Sequence, residues 1–170
     1  MKNLTISDKN RSLNKKKIHQ LVYYLSEEIG FSIQALQINF INNNEIRELN
    51  KKHLSHDYNT DILTFDYSND KELIDAEIYI SLDEALLNSK KFKVSFEKEI
   101  KRLVIHGILH LTGYDDKSPD EKKIMKRLEN RLLSKINFTL LEPDFNQLIK
   151  TSIDPMNKNI SGSHHAVSFI

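Results

Sequence analysis

The chain of 170 residues has no cysteine, only four glycines and three prolines, and no long apolar run. The absence of cysteine excludes disulfides, thiolate ligands and a cysteine nucleophile, so any metal must be bound by His, Asp or Glu. No run approaches the ~20 apolar residues that cross a bilayer. The N-terminal segment lacks the apolar core of a secretory signal. We therefore expect a cytoplasmic protein that does not associate with membranes.

The composition is that of a folded protein, with 39% hydrophobic and 29% charged residues. We predict one metal-dependent hydrolase domain over residues 1–141 and a loosely ordered tail over residues 142–170, which is rich in Ser, Asn and Pro and has no periodicity. The net charge of +1 gives no global attraction for nucleic acid. The charges are segregated, however: residues 57–85 contain nine acids and one lysine, and residues 117–135 contain seven basic residues and three acids.

Apolar periodicity predicts strands alternating with helices. Strands are predicted at 3–7, 35–41, 60–68 and 76–82, and helices at 16–29, 45–54, 83–92, 95–112 and from Ser118 onward. Ser118 followed by Pro119 and Glu121 is typical of a capped helix start. The pattern indicates an α/β or α+β fold, with a small mixed sheet of about four strands packed with about five helices.

Residues 106–116, with the sequence HGILHLTGYDD, contain the strongest chemical signal. The second half of the predicted helix is apolar almost all round, which carries His106 and His110 into the interior. Four residues apart on a helix, the two imidazoles can point at one metal ion. Gly113 can end the helix, and Asp116 lies far enough beyond it to return as a third ligand.

This spacing matches the metzincin pattern HExxHxxGxxH with two changes. Asp116 stands in place of the third histidine, and aspartate is a good zinc ligand. Gly107 stands in place of the glutamate that serves peptidases as general base. A glycine inside a helix costs about 1 kcal/mol relative to alanine, so something must approach closely there. Either a neighbouring strand or the backbone of a substrate would explain it. Asp115 is interpreted as a solvated acid and Tyr114 as a packing residue.

The same stretch resembles the signature HGxLHLxGYDH of the YbeY family, bacterial endoribonucleases of 16S rRNA maturation. Residues 49–67 and 76–85 resemble neighbouring family segments, and the resemblance spans residues 36–135. It implies a metzincin-like metal-binding helix that holds one Zn²⁺ per chain on His106, His110 and Asp116. It further implies an endoribonuclease that cleaves single-stranded RNA in rRNA processing. The step is the late maturation of the 3′ end of 16S rRNA during ribosome biogenesis. The expected partners are structured or precursor RNA, rRNA or ribosomal particles.

Three positions depart from the usual family pattern. Asp116 replaces the last histidine, Leu54 occupies the position of an arginine generally regarded as functional, and Ala76-Glu77 replaces a Gly-Asp pair. Leu54 carries no charge, which weakens the expectation that this position contacts an RNA phosphate.

The sequence does not assign the proton transfer. A three-ligand metal would leave a position for water and a phosphate oxygen, and Glu77 and Asp61 are candidates for the acid or base by family position only. Basic residues could track the RNA backbone, although each alone is interpreted as a solvated charge: Lys98, Lys101, Arg102, Lys122 and Lys126. Two alternatives stay open, a minimal metallopeptidase and a non-catalytic ribosome- or RNA-binding factor with a structural zinc.

Overall fold

The computed structural model describes residues 3–9, 12–68 and 70–142, together with the backbone of residues 168–169. The strands are Leu4–Asp8 (β1), Ser32–Ile41 (β2), Ile62–Asp66 (β3), Leu73–Ser81 (β4) and Ser168–Phe169 (β5). The helices are Lys15–Ile29 (α1), Asn43–Leu54 (α2), Leu82–Phe92 (α3), Phe96–Leu111 (α4) and Pro119–Ser134 (α5). Most of the tail predicted from residue 142 lies outside the described residues, so its loose order stays a prediction.

The strands form one mixed sheet in the order β1-β2-β4-β3-β5. Strands β1, β2 and β4 are parallel, β3 runs antiparallel to β4, and the two-residue β5 is parallel to β3. The predicted α+β class, with about four strands and about five helices, is confirmed within the described residues. The predicted first strand is also confirmed, since β1 lies at the edge of the sheet and pairs only with β2 among those residues.

The strand limits differ from the predicted ones where pairing with a neighbouring strand, and not the alternation of apolar residues, decides where a strand begins. Strand β2 begins at Ser32 instead of residue 35, because Ser32 and Ile33 pair with Leu73 and Ile74 of β4. A register shift between Ile33 and Ala35 breaks the alternation there, so the local pattern did not reveal these residues as part of the strand.

The main hydrophobic core lies between one face of the sheet and helices that include α1 and α4. Ile18, Ile38, Ile78, Ile100 and Leu103 are completely buried in it. Helix α2 packs on the opposite face, where Ile46, Leu63 and Phe65 form a smaller cluster. The histidine helix α4 is therefore the buried layer that positions the site. Among the residues that the structure describes, no helix has the length and apolar character of a membrane span.

Candidate metal centre

Helix α4 carries both candidate histidines into the protein interior, as predicted. Ser95 caps its N-terminus by accepting a hydrogen bond from the Lys98 N–H. His106 and His110 are only 5% and 7% exposed. Because buried polar rings require partners, both imidazoles must be satisfied by neighbouring side chains or by a bound ion.

A tight turn after α4 brings the third candidate back to the histidines. The Gly113 N–H donates to His110 O at 2.9 Å and the Tyr114 N–H donates to Leu109 O at 3.0 Å, which is a Schellman motif. Gly113 has φ +96°, a left-handed conformation that favours glycine. The next helix begins after Ser118, which forms the predicted capping box with Glu121. The short connection between the two helices contains Asp116.

The three predicted ligands lie together. The Nε2 atoms of His106 and His110 are 3.0 Å apart, and His110 Nε2 lies 3.8 Å from Asp116 Oδ1. One ligand atom from each residue lies within 4.8 Å of the other two. Two nitrogens bound to a tetrahedral zinc would stand about 3.3 Å apart at Zn–N distances of about 2.0–2.1 Å. The donor set therefore has the spacing that a small divalent cation requires.

The protonation state of His110 also suits a cation. Burial, and secondly the neighbouring charge of His106, lowers the pKa of His110 to about 3. At neutral pH His110 is therefore an uncharged imidazole with a free lone pair, which is the form that binds metals.

A carboxylate that sequence reasoning missed lies behind His106. Glu129 of α5 accepts a hydrogen bond from His106 Nδ1–H at 2.6 Å, and its side chain is 9% exposed. Its position carries a local signal, because Met125 and Leu132 on the same helix are buried too. An acid within the apolar face of a helix indicates a specific partner.

This carboxylate belongs to a network centred on the half-buried Arg102. Arg102 donates two hydrogen bonds to Glu99, at 2.6 and 3.0 Å. It also forms ion pairs with Glu129 at 3.7 Å and with Asp61 at 3.6 Å. Burial opposes the charge of Arg102, but the bonds to Glu99 and the charges of Glu129 and Asp61 raise its pKa above the ordinary value. Asp61 additionally accepts from Asn88 Nδ2 at 3.0 Å.

Neither of the two proton-transfer candidates is a member of the ligand group. Asp61 is part of the arginine network, and it does not belong to the group formed by His106, His110 and Asp116. Glu77 precedes Ile78, whose side chain faces Gly107 of α4. Since neighbouring strand residues point to opposite faces, Glu77 points away from α4. There it accepts a hydrogen bond from Tyr79 Oη at 2.8 Å.

The five basic residues that the sequence suggested as RNA contacts separate into an exposed group and a paired group. Lys98, Lys122 and Lys126 are exposed on helix surfaces. Arg102 is bound into the carboxylate network, and Lys101 pairs with Glu97 at 2.8 Å with its side chain only 12% exposed. Leu54, at the family's arginine position, packs against the small cluster beside α2. Lys101 and Arg102 therefore stabilise the fold and are not free to follow an RNA backbone.

A cavity of about 360 Å³ adjoins the candidate metal centre, with His110 in its wall. Two lysines that the sequence analysis did not select line it, Lys71 and Lys117. Each is paired with an acid that also lines the cavity, Asp66 at 2.5 Å and Asp115 at 2.6 Å. Tyr114 contributes a side chain that is 39% exposed. The cavity thus offers cationic groups beside the imidazole.

The fold and the site define a class: an α+β domain in which a buried helix presents two histidines and a glycine turn returns a carboxylate to them. The family model for endoribonuclease YbeY matches residues 3–137. The endoribonuclease YbeY of Chlorobium phaeobacteroides is 38% identical over 126 residues, covering 74% of this chain and 91% of the relative. That of Parabacteroides distasonis is 37% identical over 123 residues, covering 72% and 86%. The chain belongs to the endoribonuclease YbeY family, which confirms the resemblance and the expectation of an enzyme.

A solved structure supports the fold. The solution structure of TM1509 from Thermotoga maritima is similar with a TM-score of 0.57 and 24% identity, covering 91% of this chain and 99% of that one.

Proposed function

We propose that this protein is a zinc-dependent endoribonuclease that cleaves single-stranded precursor rRNA. It would act in the late maturation of the 3′ end of 16S rRNA during ribosome biogenesis. The observation that carries the proposal is the convergence of His106, His110 and Asp116 beside a cavity with two lysines, in a chain of the endoribonuclease YbeY family. Three nitrogen and oxygen ligands next to a cavity are typical of catalytic rather than structural zinc sites.

One set of residues would bind the metal and another would bind the substrate. His106, His110 and Asp116 would hold the ion. When bound, the metal would supply a Lewis acid for a phosphate oxygen and an activated water at neutral pH. Lys71 and Lys117 would bind the flanking phosphates of the RNA by charge, provided that they exchange Asp66 and Asp115 for the substrate.

The packing of Gly107 argues against the metallopeptidase alternative. A Cβ atom at this position would lie 3.0 Å from Ile62 Cδ1 and 3.1 Å from Ile78 Cδ1. A glutamate general base therefore has no room at the place where the peptidase pattern carries it. The alternative of a binding factor with a structural zinc differs from the proposal only in activity, so an activity assay must separate them.

The test is cleavage of precursor 16S rRNA by zinc-loaded wild type, His110→Ala and a control, His19→Ala, whose histidine lies on α1. All three proteins are first checked for folding by circular dichroism. We expect cleavage by wild type and His19→Ala and none by His110→Ala. Equal cleavage by all three would contradict a metal-site mechanism. RNA binding without cleavage by wild type would favour the binding-factor alternative.

A further inference from the structure

We infer that Glu129 is a positioning residue of the metal centre: it fixes the tautomer and the orientation of His106 so that Nε2 faces the ion. The inference rests on the proposed function in one respect, namely that His106, His110 and Asp116 bind a metal. Glu129 itself is not a ligand in this arrangement, because it contacts the ring nitrogen on the far side of the imidazole.

The first step of the argument is the direction of one hydrogen bond. A carboxylate oxygen can only accept, so the 2.6 Å contact between Glu129 Oε1 and His106 Nδ1 places the proton on Nδ1. In the neutral imidazole the lone pair is then on the other nitrogen, Nε2, and this atom lies 3.0 Å from His110 Nε2. The partner that selects the tautomer therefore also aims the free lone pair at the centre of the ligand group.

The second step is the cost of placing this carboxylate inside the protein. A buried charge is tolerated when it is paired and hydrogen-bonded. Glu129 has His106 on one side and Arg102 Nη1 at 3.7 Å from the same oxygen on the other. Arg102 is in turn held by two hydrogen bonds to Glu99. Glu129 is thus held in place by Arg102, which is itself bound to Glu99.

The third step is the charge of the whole network. Three carboxylates, Asp61, Glu99 and Glu129, surround the single guanidinium of Arg102. The network therefore has an excess of acidic over basic groups on the Glu129 side of His106. This excess favours a cation on the other side of His106, and the bond to a carboxylate increases the basicity of the coordinating imidazole.

The experiment compares zinc affinity in wild type, Glu129→Gln, Glu129→Ala and the control Glu84→Gln, by competition with a chromogenic chelator. Glu84 is matched because it is also a buried helical glutamate, 6% exposed, that accepts one side-chain hydrogen bond, from Asn43 at 2.9 Å. Loss of an outer-sphere partner typically weakens metal binding about 10- to 100-fold. We expect about 10-fold for Glu129→Gln, more for Glu129→Ala, and less than about 2-fold for Glu84→Gln.

A second readout needs no metal. Proton–nitrogen NMR of the histidine side chains in the metal-free wild type should show His106 protonated on Nδ1, and Glu129→Gln should weaken that preference. Wild-type zinc affinity in both folded Glu129 variants would overturn the inference, and so would His106 protonated on Nε2 in the wild type. A wild type that binds no zinc would overturn it together with the proposed metal centre. Neither readout uses RNA, so a failure of the proposed ribonuclease activity alone would leave both unchanged.

Discussion

Gly107 in α4 lies so close to Ile78 in β4 that a Cβ atom at position 107 would stand 3.1 Å from Ile78 Cδ1. Ile62 of β3 closes the same space from the other side, at 3.0 Å. The sequence left two explanations for a glycine inside this helix, a neighbouring strand or a substrate backbone. The structure selects the strands, because the glycine faces the sheet.

Gly107→Ala should therefore destabilise the protein. Overpacking a core costs typically about 1–3 kcal/mol, and replacing glycine within a helix returns about 1 kcal/mol. We expect a net loss of roughly 1 kcal/mol in the free energy of unfolding, measured by urea denaturation. Combining Gly107→Ala with Ile62→Val and Ile78→Val, which removes both obstructing Cδ1 methyl groups, should cost less than the sum of the three single variants. Additive costs would show that the close approach is not the reason for the glycine.

Asp116→Ala should lose most of the bound metal, because two imidazoles alone do not complete a zinc site. We expect an affinity loss of more than about 100-fold, beyond the usual effect of an outer-sphere residue. Asp116→His should retain the metal. The matched control is Asp120→Ala, a nearby exposed acid that pairs with Lys123. Unchanged metal stoichiometry in Asp116→Ala, measured by elemental analysis, would remove Asp116 from the ligand set.

Lys117→Ala should weaken RNA binding more than Lys123→Ala. The two lysines are matched: both are about four-fifths exposed and each pairs with a nearby aspartate, but only Lys117 lines the cavity beside His110. Each phosphate contact contributes about 0.7 to the salt dependence of single-strand binding. The slope of log K against log salt should therefore fall by about 0.7 in Lys117→Ala and remain unchanged in Lys123→Ala. Equal slopes in both variants would place the RNA elsewhere.

Glu97→Gln should remove a pH-dependent part of the stability. Burial raises the pKa of Glu97, but hydrogen bonds from Lys101, Thr139 and the Leu140 N–H outweigh it, so the pKa lies below its ordinary value of 4.5. The unfolded chain therefore takes up this proton first as the pH falls, and the stabilisation is present above about pH 4.5 and lost as the pH falls through the folded value.

We expect Glu97→Gln to cost about 1.5–3 kcal/mol at pH 7, as for hydrogen bonds to a charged group. The difference from wild type should narrow below about pH 4.5 in urea titrations at several pH values. Glu48→Gln, an exposed glutamate on α2, is the control and should change neither quantity. A difference from wild type that stays constant down to pH 3 would contradict the assignment of Glu97 as the titrating group.

Features that depend on near neighbours along the chain follow from the order of the amino acids alone. The cap at Ser118, the stop at Gly113 and the spacing of His106 and His110 follow from helix geometry, so each could be predicted from a few consecutive residues. The return of Asp116 also follows, since only four residues separate it from the end of α4.

Which distant side chains meet these residues depends instead on how the helices and strands pack. Glu129 lies 23 positions after His106 and reaches it because α5 packs against α4, a geometry that no local pattern encodes. The same packing buries Arg102 among carboxylates instead of presenting it to RNA. Alternation along β4 points Glu77 and Ile78 to opposite faces of the sheet. Only the docking of α4 decides that Ile78 is on the face that meets α4 and Glu77 is on the other face. Periodicity is local, whereas the partners of a buried charge are set by how the elements pack.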